Sequence, residues 1–275
     1  MTGAAGPASP AGGAGERRRG IWVALAIATA AVVVLPAGLY AWGTAIRRTA
    51  SVTDTYRRPV TDVEIDAGGA RVTVGPGEAG RVRVVARLSW ALHRPRVERI
   101  WAGELLLIRY ECETDGWTYP GLRCDADIDV QVPQGVRVRA QSGSGPLRLR
   151  GLGGDLRLET RSGTVELADV RGRIWARAGS GEITGRGLAA PSVEAEVGSG
   201  RLDFAFASPP RYVKASAGSG AVRVTVPNGS YYRVGAEAGS GRVRIDPALN
   251  DRSSPRAIVA KTGSGALTIG YPADR

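Results

Sequence analysis

The chain has 275 residues, a formal net charge of +11, two cysteines and one histidine, and 43% of its residues are hydrophobic. That length and apolar content suffice for a packed domain and exclude a wholly disordered chain. Two cysteines with one histidine, His93, exclude a four-ligand zinc site unless carboxylates join it.

In chain order, residues 1–20 are mostly Gly, Ala, Pro and Arg and are expected to form a disordered cytoplasmic tail. Residues 20–46 carry no charge. As a helix, 21–43 would reach about 35 Å, enough for a bilayer core. Trp22 stands at one end and Tyr40 and Trp42 at the other, where interfacial aromatics sit. With Arg17, Arg18 and Arg19 ahead of it, this segment is predicted to be a transmembrane helix, an uncleaved signal anchor with the bilayer as partner. A long C-terminal domain is translocated largely regardless of flanking charge. The expected location is therefore the cell membrane, single-pass, with that domain extracytoplasmic. Residues 44–60 read as a polar linker.

Residues 61–135 open on one degenerate structural unit: Val63, Ile65 and Ala67, then Gly68 and Gly69, then Val72 and Val74. Strand-like runs follow around Val82–Leu88, Leu105–Tyr110 and Ala126–Val132, so the region is expected to hold an N-terminal rung and a cap or insertion. Cys112 and Cys124 are predicted to form a disulfide, the use of an even cysteine count in an oxidising compartment. Asp125, Asp127 and Asp129 resemble the start of a calcium loop, but Val130 and Val136 stand where glycine and a bidentate glutamate belong. The three aspartates read as one solvent face of a strand.

Residues 136–271 are repetitive. Ser144, Ser162, Ser180, Ser199, Ser219, Ser240 and Ser264 are each followed by glycine, with an aliphatic residue three positions later and another six positions earlier. Four positions before the serine is alanine in every copy except Leu158. This period-2 pattern means strands, and a repeat near twenty residues means stacked units that bury apolar faces against their neighbours. The predicted fold class is all-β: a β-solenoid of G-S-G-cornered rungs preceded by the helix. Outward positions three before the serine are polar throughout, so Glu159, Arg177 and Glu196 should meet on neighbouring rungs.

The search for chemistry yields no catalytic residue, metal site or cofactor site. Seven equivalent serines cannot share His93 as a base, which makes them turn residues. The positive charge is almost all arginine, with Lys214 and Lys261 the two lysines. Without an aromatic-rich binding motif it does not point to nucleic acid. Taking serine spacing as stacking order, Arg223 and Arg244 fall on consecutive rungs with Arg242 beside them. That stripe is the candidate site for an anionic envelope polymer or lipid headgroup.

The repeated G-S-G corners, the flanking strands, the Val63–Val74 unit and the cysteine-bearing insertion resemble a bacterial β-strand-repeat family of unknown function, the auto-transporter adhesin head (GIN) domain type. The resemblance covers residues 60–270 or so and implies fold and location, with no catalytic residues to carry over. The expected function is a non-enzymatic, membrane-anchored scaffold, adhesion or interaction module of the cell envelope. The alternatives are an envelope-stress sensing or regulatory partner of another membrane protein, and a carbohydrate-active β-helix enzyme.

Overall fold

The computed structural model describes residues 14–45, 47–112 and 124–272. Of the expected tail, residues 1–13 lie outside the described residues, and from Ala14 the chain is helical. Helix α1 (Ala14–Ala45) contains the uncharged run and Pro36. Trp22, Val23, Leu25, Ile27 and Leu35 on it are exposed. Among the described residues, however, no helix is long and apolar enough to cross a membrane. This corrects the expected transmembrane helix and the single-pass cell-membrane location.

The rest is β-structure. Strand β1 (Arg48–Tyr56) occupies most of the expected linker. It is followed by β2 (Asp62–Asp66), β3 (Arg71–Pro76), β4 (Val82–Trp90), β5 (Arg96–Ala102), β6 (Leu105–Glu111) and β7 (Asp125–Val132). The repeats then give the short pairs β8 (Arg137–Ser142) and β9 (Leu147–Arg150), and β10 (Leu156–Thr160) and β11 (Thr164–Ala168). Five long strands bend at the G-S-G corner: β12 (Ile174–Leu188), β13 (Ser192–Phe206), β14 (Tyr212–Thr225), β15 (Arg233–Ile245) and β16 (Ala257–Gly270).

Equivalent positions of neighbouring repeats pair in parallel, residue for residue: Ser180 with Ser199, Ser199 with Ser219, and Ser219 with Ser264. Alternate residues point inward, and Val193, Val213, Leu202, Ile183 and Ile258 are fully buried. Each such aliphatic residue contributes about 1.5–3 kcal/mol by leaving water. Gly185, the one break in the large inward series, lies opposite Phe204, and a Cβ there would meet the Leu188 side chain at 2.6 Å and the Phe204 ring at 2.9 Å.

The expected β-solenoid is corrected in this picture. The strands form one sixteen-stranded sheet, a twelve-strand path with four more strands alongside, curled into an open half-barrel. Each unit supplies two strand arms that meet at the corner, and the remaining side is loop. The return segments contain Pro191, Pro209, Pro210, Pro227 and Pro255. Proline cannot donate to a ladder. The open side is filled by loop side chains, among them Leu152, Val170, Ala190 and Leu249, all buried.

The order of units departs from chain order at both ends. At the start, β2 and β3 sit between β8 and β9 on one side and β6 and β7 on the other. At the finish, β16 pairs with both β14 and β15, so the last repeat is inserted between the two before it. The amino-terminal end continues in antiparallel strands, β5 on β6, and β4 then β1 on β7.

Candidate functional site

The inserted strand β16 decides the fate of the arginine stripe. Arg223 on β14 and Arg244 on β15 both lie opposite Thr268 on β16. They are thus two strand spacings apart, about 9.6 Å, rather than one. Arg223 also has a partner, Asp203, at 3.6 Å. Arg242 lies opposite Ala266. The expected three-residue stripe is therefore split: among the described residues Arg242 and Arg244 have no ion-pair partner, and both are exposed on the outermost strand.

Elsewhere several outward charges are matched between units. Arg148 pairs with Glu166 at 2.9 Å, Arg173 with Asp155 at 2.7 Å, Arg177 with Glu196 at 2.7 Å, Arg201 with Glu182 at 3.5 Å and Lys261 with Glu237 at 2.8 Å. Hydrogen bonds from Arg173 hold the Asp155 carboxyl below the usual carboxylate range, and Lys261 does the same for Glu237. Glu159 lies opposite Arg177 in the ladder but takes Arg157 as its partner at 3.1 Å. Arg157 lies 3.9 Å from the centre of the Trp175 ring, a cation–π contact on the same face.

Two concavities were candidates for chemistry. A cleft of about 690 Å³ at the amino-terminal end is lined by Val52, Leu88, Leu92, His93, Arg94 and Arg99, among others. Beside it Asp54 and Arg99 approach to 3.1 Å, and Tyr56 meets the Trp101 ring edge-on at 5.2 Å. Asp54 Oδ2 and Arg99 Nε are buried without a hydrogen-bond partner, so their contact is ionic and poorly aligned. Burial, then Asp54, push the Tyr56 hydroxyl up. Glu98 and Glu111 share this lining with His93. A second groove, of about 520 Å³, brings Glu166 and Glu182 to one wall, each already ion-paired to an arginine.

Ser144 and Ser162 lie at bends between short strands, whereas Ser180, Ser199, Ser219, Ser240 and Ser264 lie within the long bent strands, and their hydroxyls do less than the sequence implies. Turn hydrogen bonds come from the residue two positions earlier: Ser142 Oγ donates to the Gly145 carbonyl at 2.8 Å, and Thr160 Oγ1 accepts from the Gly163 amide at 2.9 Å. Ser240 and Ser264 contact each other through their hydroxyls at 3.1 Å. The glycine after the serine is obligatory for two reasons. Gly200 has φ +138°, and a Cβ there would lie 1.7 Å from the Gly181 carbonyl oxygen of the neighbouring unit.

Cys112 and Cys124 form the expected disulfide, with Cα atoms 6.3 Å apart, and join the end of β6 to the start of β7. Asp125, Asp127 and Asp129 lie on the outward side of β7, where Arg47 pairs with Asp125 and Arg71 with Asp127 at 2.6 Å. Among the described residues no group of His, Cys, Asp and Glu is arranged to hold a metal ion.

No protein-family model and no curated relative matches the chain. In fold it is similar to a candidate cell adhesion protein from Clostridium sporogenes, at 11% identity and TM-score 0.42, covering 82% of this chain and 100% of that one. It is similar in the same way to a candidate adhesin from Bacteroides fragilis, at 11% identity and TM-score 0.45, covering 81% and 97%. A candidate lipid-binding protein from Parabacteroides distasonis matches at 10% identity and TM-score 0.36, covering 82% and 96%. The finer resemblance to the GIN domain has no matching family model, and similarity at this level carries no activity to this chain.

Proposed function

We propose that the protein is a non-enzymatic interaction module whose contact end is the carboxyl-terminal edge of the sheet. One observation carries this reading. Ion pairs join neighbouring units at several outward positions of the stack, whereas Arg242 and Arg244, two residues apart on the outermost strand, are both exposed and have no ion-pair partner among the described residues. A guanidinium pair on a rigid strand suits bidentate contact with phosphate or carboxylate groups. The partner chemistry is an anionic polymer or lipid headgroup of the cell envelope.

Co-sedimentation tests the reading. The full chain is incubated with vesicles of phosphatidylglycerol and, separately, with an insoluble phosphate-bearing wall polymer, which tells the two anion sources apart. Pelleting with at least one is expected at low salt and should fade as the Debye length drops below about 8 Å. An Arg242→Ser, Arg244→Ser variant should lose most of it. Equal pelleting of variant and wild type, or none by either, would overturn the anion contact.

A further inference from the structure

β15 is the strand at which the sheet stops. It pairs with β16 on one side, and on the other its first residues are covered by the following loop: the Tyr232 amide donates to the Leu249 carbonyl at 2.9 Å and the Val234 amide to Asn250 Oδ1 at 3.3 Å. Beyond Val234 the cover ends. Residues 235–245 form a free edge whose backbone groups have no strand partner among the described residues. The inward side is uncovered too. Val243 is 43% exposed, whereas the equivalent Val222 and Leu267 of inner units are 1% and 0% exposed. Ala236, Ala238 and Ile245 are partly exposed where their counterparts are buried. Such an edge is a template for another strand. Units at the ends of a repeat stack ordinarily carry a polar outer face.

We propose that this edge pairs with the same edge of a second copy of the chain, giving a two-fold dimer joined end to end. The bend at Gly239–Gly241 sets the geometry. A two-fold axis through the corner lays each arm of β15 antiparallel on the opposite arm of the partner's β15. Inward positions are Val234, Ala236 and Ala238 before the corner and Val243 and Ile245 after it. Two registers centred on the corner keep inward residues against inward residues. One sets Ala236 opposite the partner's Val243, and the other sets Ala238 there. In the first, Glu237 falls opposite the partner's Arg242; in the second, opposite the partner's Arg244. Either way the outward carboxylate of β15, which Lys261 of β16 already holds at 2.8 Å, also meets an arginine, twice per dimer. One of the two unpaired arginines and the uncovered valine thereby find partners in one step. Pairing β15 with the flanking strands of the opposite end would instead be head-to-tail, and such contacts grow without closing.

The dimer does not depend on the anion contact, and one substitution separates them. Val243→Lys adds a charge to the uncovered apolar side of β15 and leaves Arg242 and Arg244 in place. Sedimentation velocity of the full chain, in a non-ionic detergent that suppresses association through α1, should show a concentration-dependent mass twice 28.7 kDa. Val243→Lys and Glu237→Arg should each raise the dissociation constant at least about tenfold. A Glu237→Arg chain mixed with an Arg242→Glu, Arg244→Glu chain should regain the dimer as a heterodimer. Ser240→Cys, at an exposed corner position beside the axis, should give a disulfide-linked dimer on mild oxidation. Should a variant fail to fold, the wild-type chain still decides, because amides of 235–245 should gain hydrogen-exchange protection as concentration rises. A wild-type chain that stays monomeric at about 100 μM, masses beyond two copies, or a dimer indifferent to Val243→Lys would overturn the proposal. Anion pelleting that survives in Val243→Lys would leave the anion contact standing alone.

Discussion

At the amino-terminal end of the stack, β6 and β7 lie outside β2 and β3 and are flanked in turn by the antiparallel strands β5, β4 and β1. At the carboxyl-terminal end, β15 lies outside β16 and no strand flanks it among the described residues. Both ends use one topological step, in which chain neighbours exchange places so that an earlier or later unit is enclosed. Beyond that step the two ends differ. The first end has Val82, Val84, Ala86 and Ile128 in its outer layers, all essentially inaccessible to solvent, and a disulfide across its corner. The second end leaves Val243 and a strand edge in water. A parallel stack cannot terminate itself, since every unit makes the edge the next would use. One end here is closed by antiparallel strands; the other keeps the stack's own edge.

Substitution inside the stack should have the largest effect and should not distinguish the ends. Gly220→Val puts a β-branched residue at φ +128°, with Cβ 1.8 Å from the Gly200 carbonyl oxygen. The expected cost exceeds about 4 kcal/mol, or no folded protein is recovered, as read by urea unfolding. Breaking the disulfide with Cys112→Ser, Cys124→Ser should cost roughly 3 kcal/mol and be confined to one end. Hydrogen exchange should quicken in β6 and β7 and stay unchanged in β14 and β16; acceleration across the whole sheet would show that the closed end holds the stack together. Val222→Ala and Val243→Ala compare one position inside the stack and at its bare end. The first should cost about 2 kcal/mol and the second less than about 1 kcal/mol in dilute monomer. Equal costs would mean that β15 is covered. Ser199→Ala should cost no more than about 1 kcal/mol, since its exposed hydroxyl makes no side-chain hydrogen bond among the described residues. A larger loss would give the corner hydroxyls a role that the structure does not show.

The strand-corner-strand unit, its inward residues and the cysteine pair were legible because each rests on local pattern: period-2 alternation, glycine at the corner, an even cysteine count. The order of units was not. Every copy presents the same aliphatic positions to its neighbours, so Val222 packs as well beneath Leu267 as beneath Val243, and the pattern cannot say which comes next. The one signal was loop length. The spacing from Ser240 to Ser264 is the longest in the series, 24 residues, and those extra residues carry the chain back over β15 to begin β16. Reading serine order as stacking order is what placed Arg223 beside Arg244. The closed coil failed for a related reason, since inward alternation fixes two strand arms and says nothing of a third side built from proline-containing loops. The uncharged segment around residues 21–43 shows the limit of composition: its lack of charge predicted a bilayer span, yet among the described residues no helix is long and apolar enough to cross a membrane.

Residue-resolved hydrogen exchange of the full chain at low and high concentration tests the difference between the ends most directly. In dilute protein, the β15 amides that face away from β16 should exchange nearly as fast as in an unfolded peptide from Gly235 onward, while β7, β12 and β14 stay protected. At high concentration those same amides should slow. Amides of β15 as well protected as those of β14 in dilute protein would mean that its edge is closed, and would contradict the account.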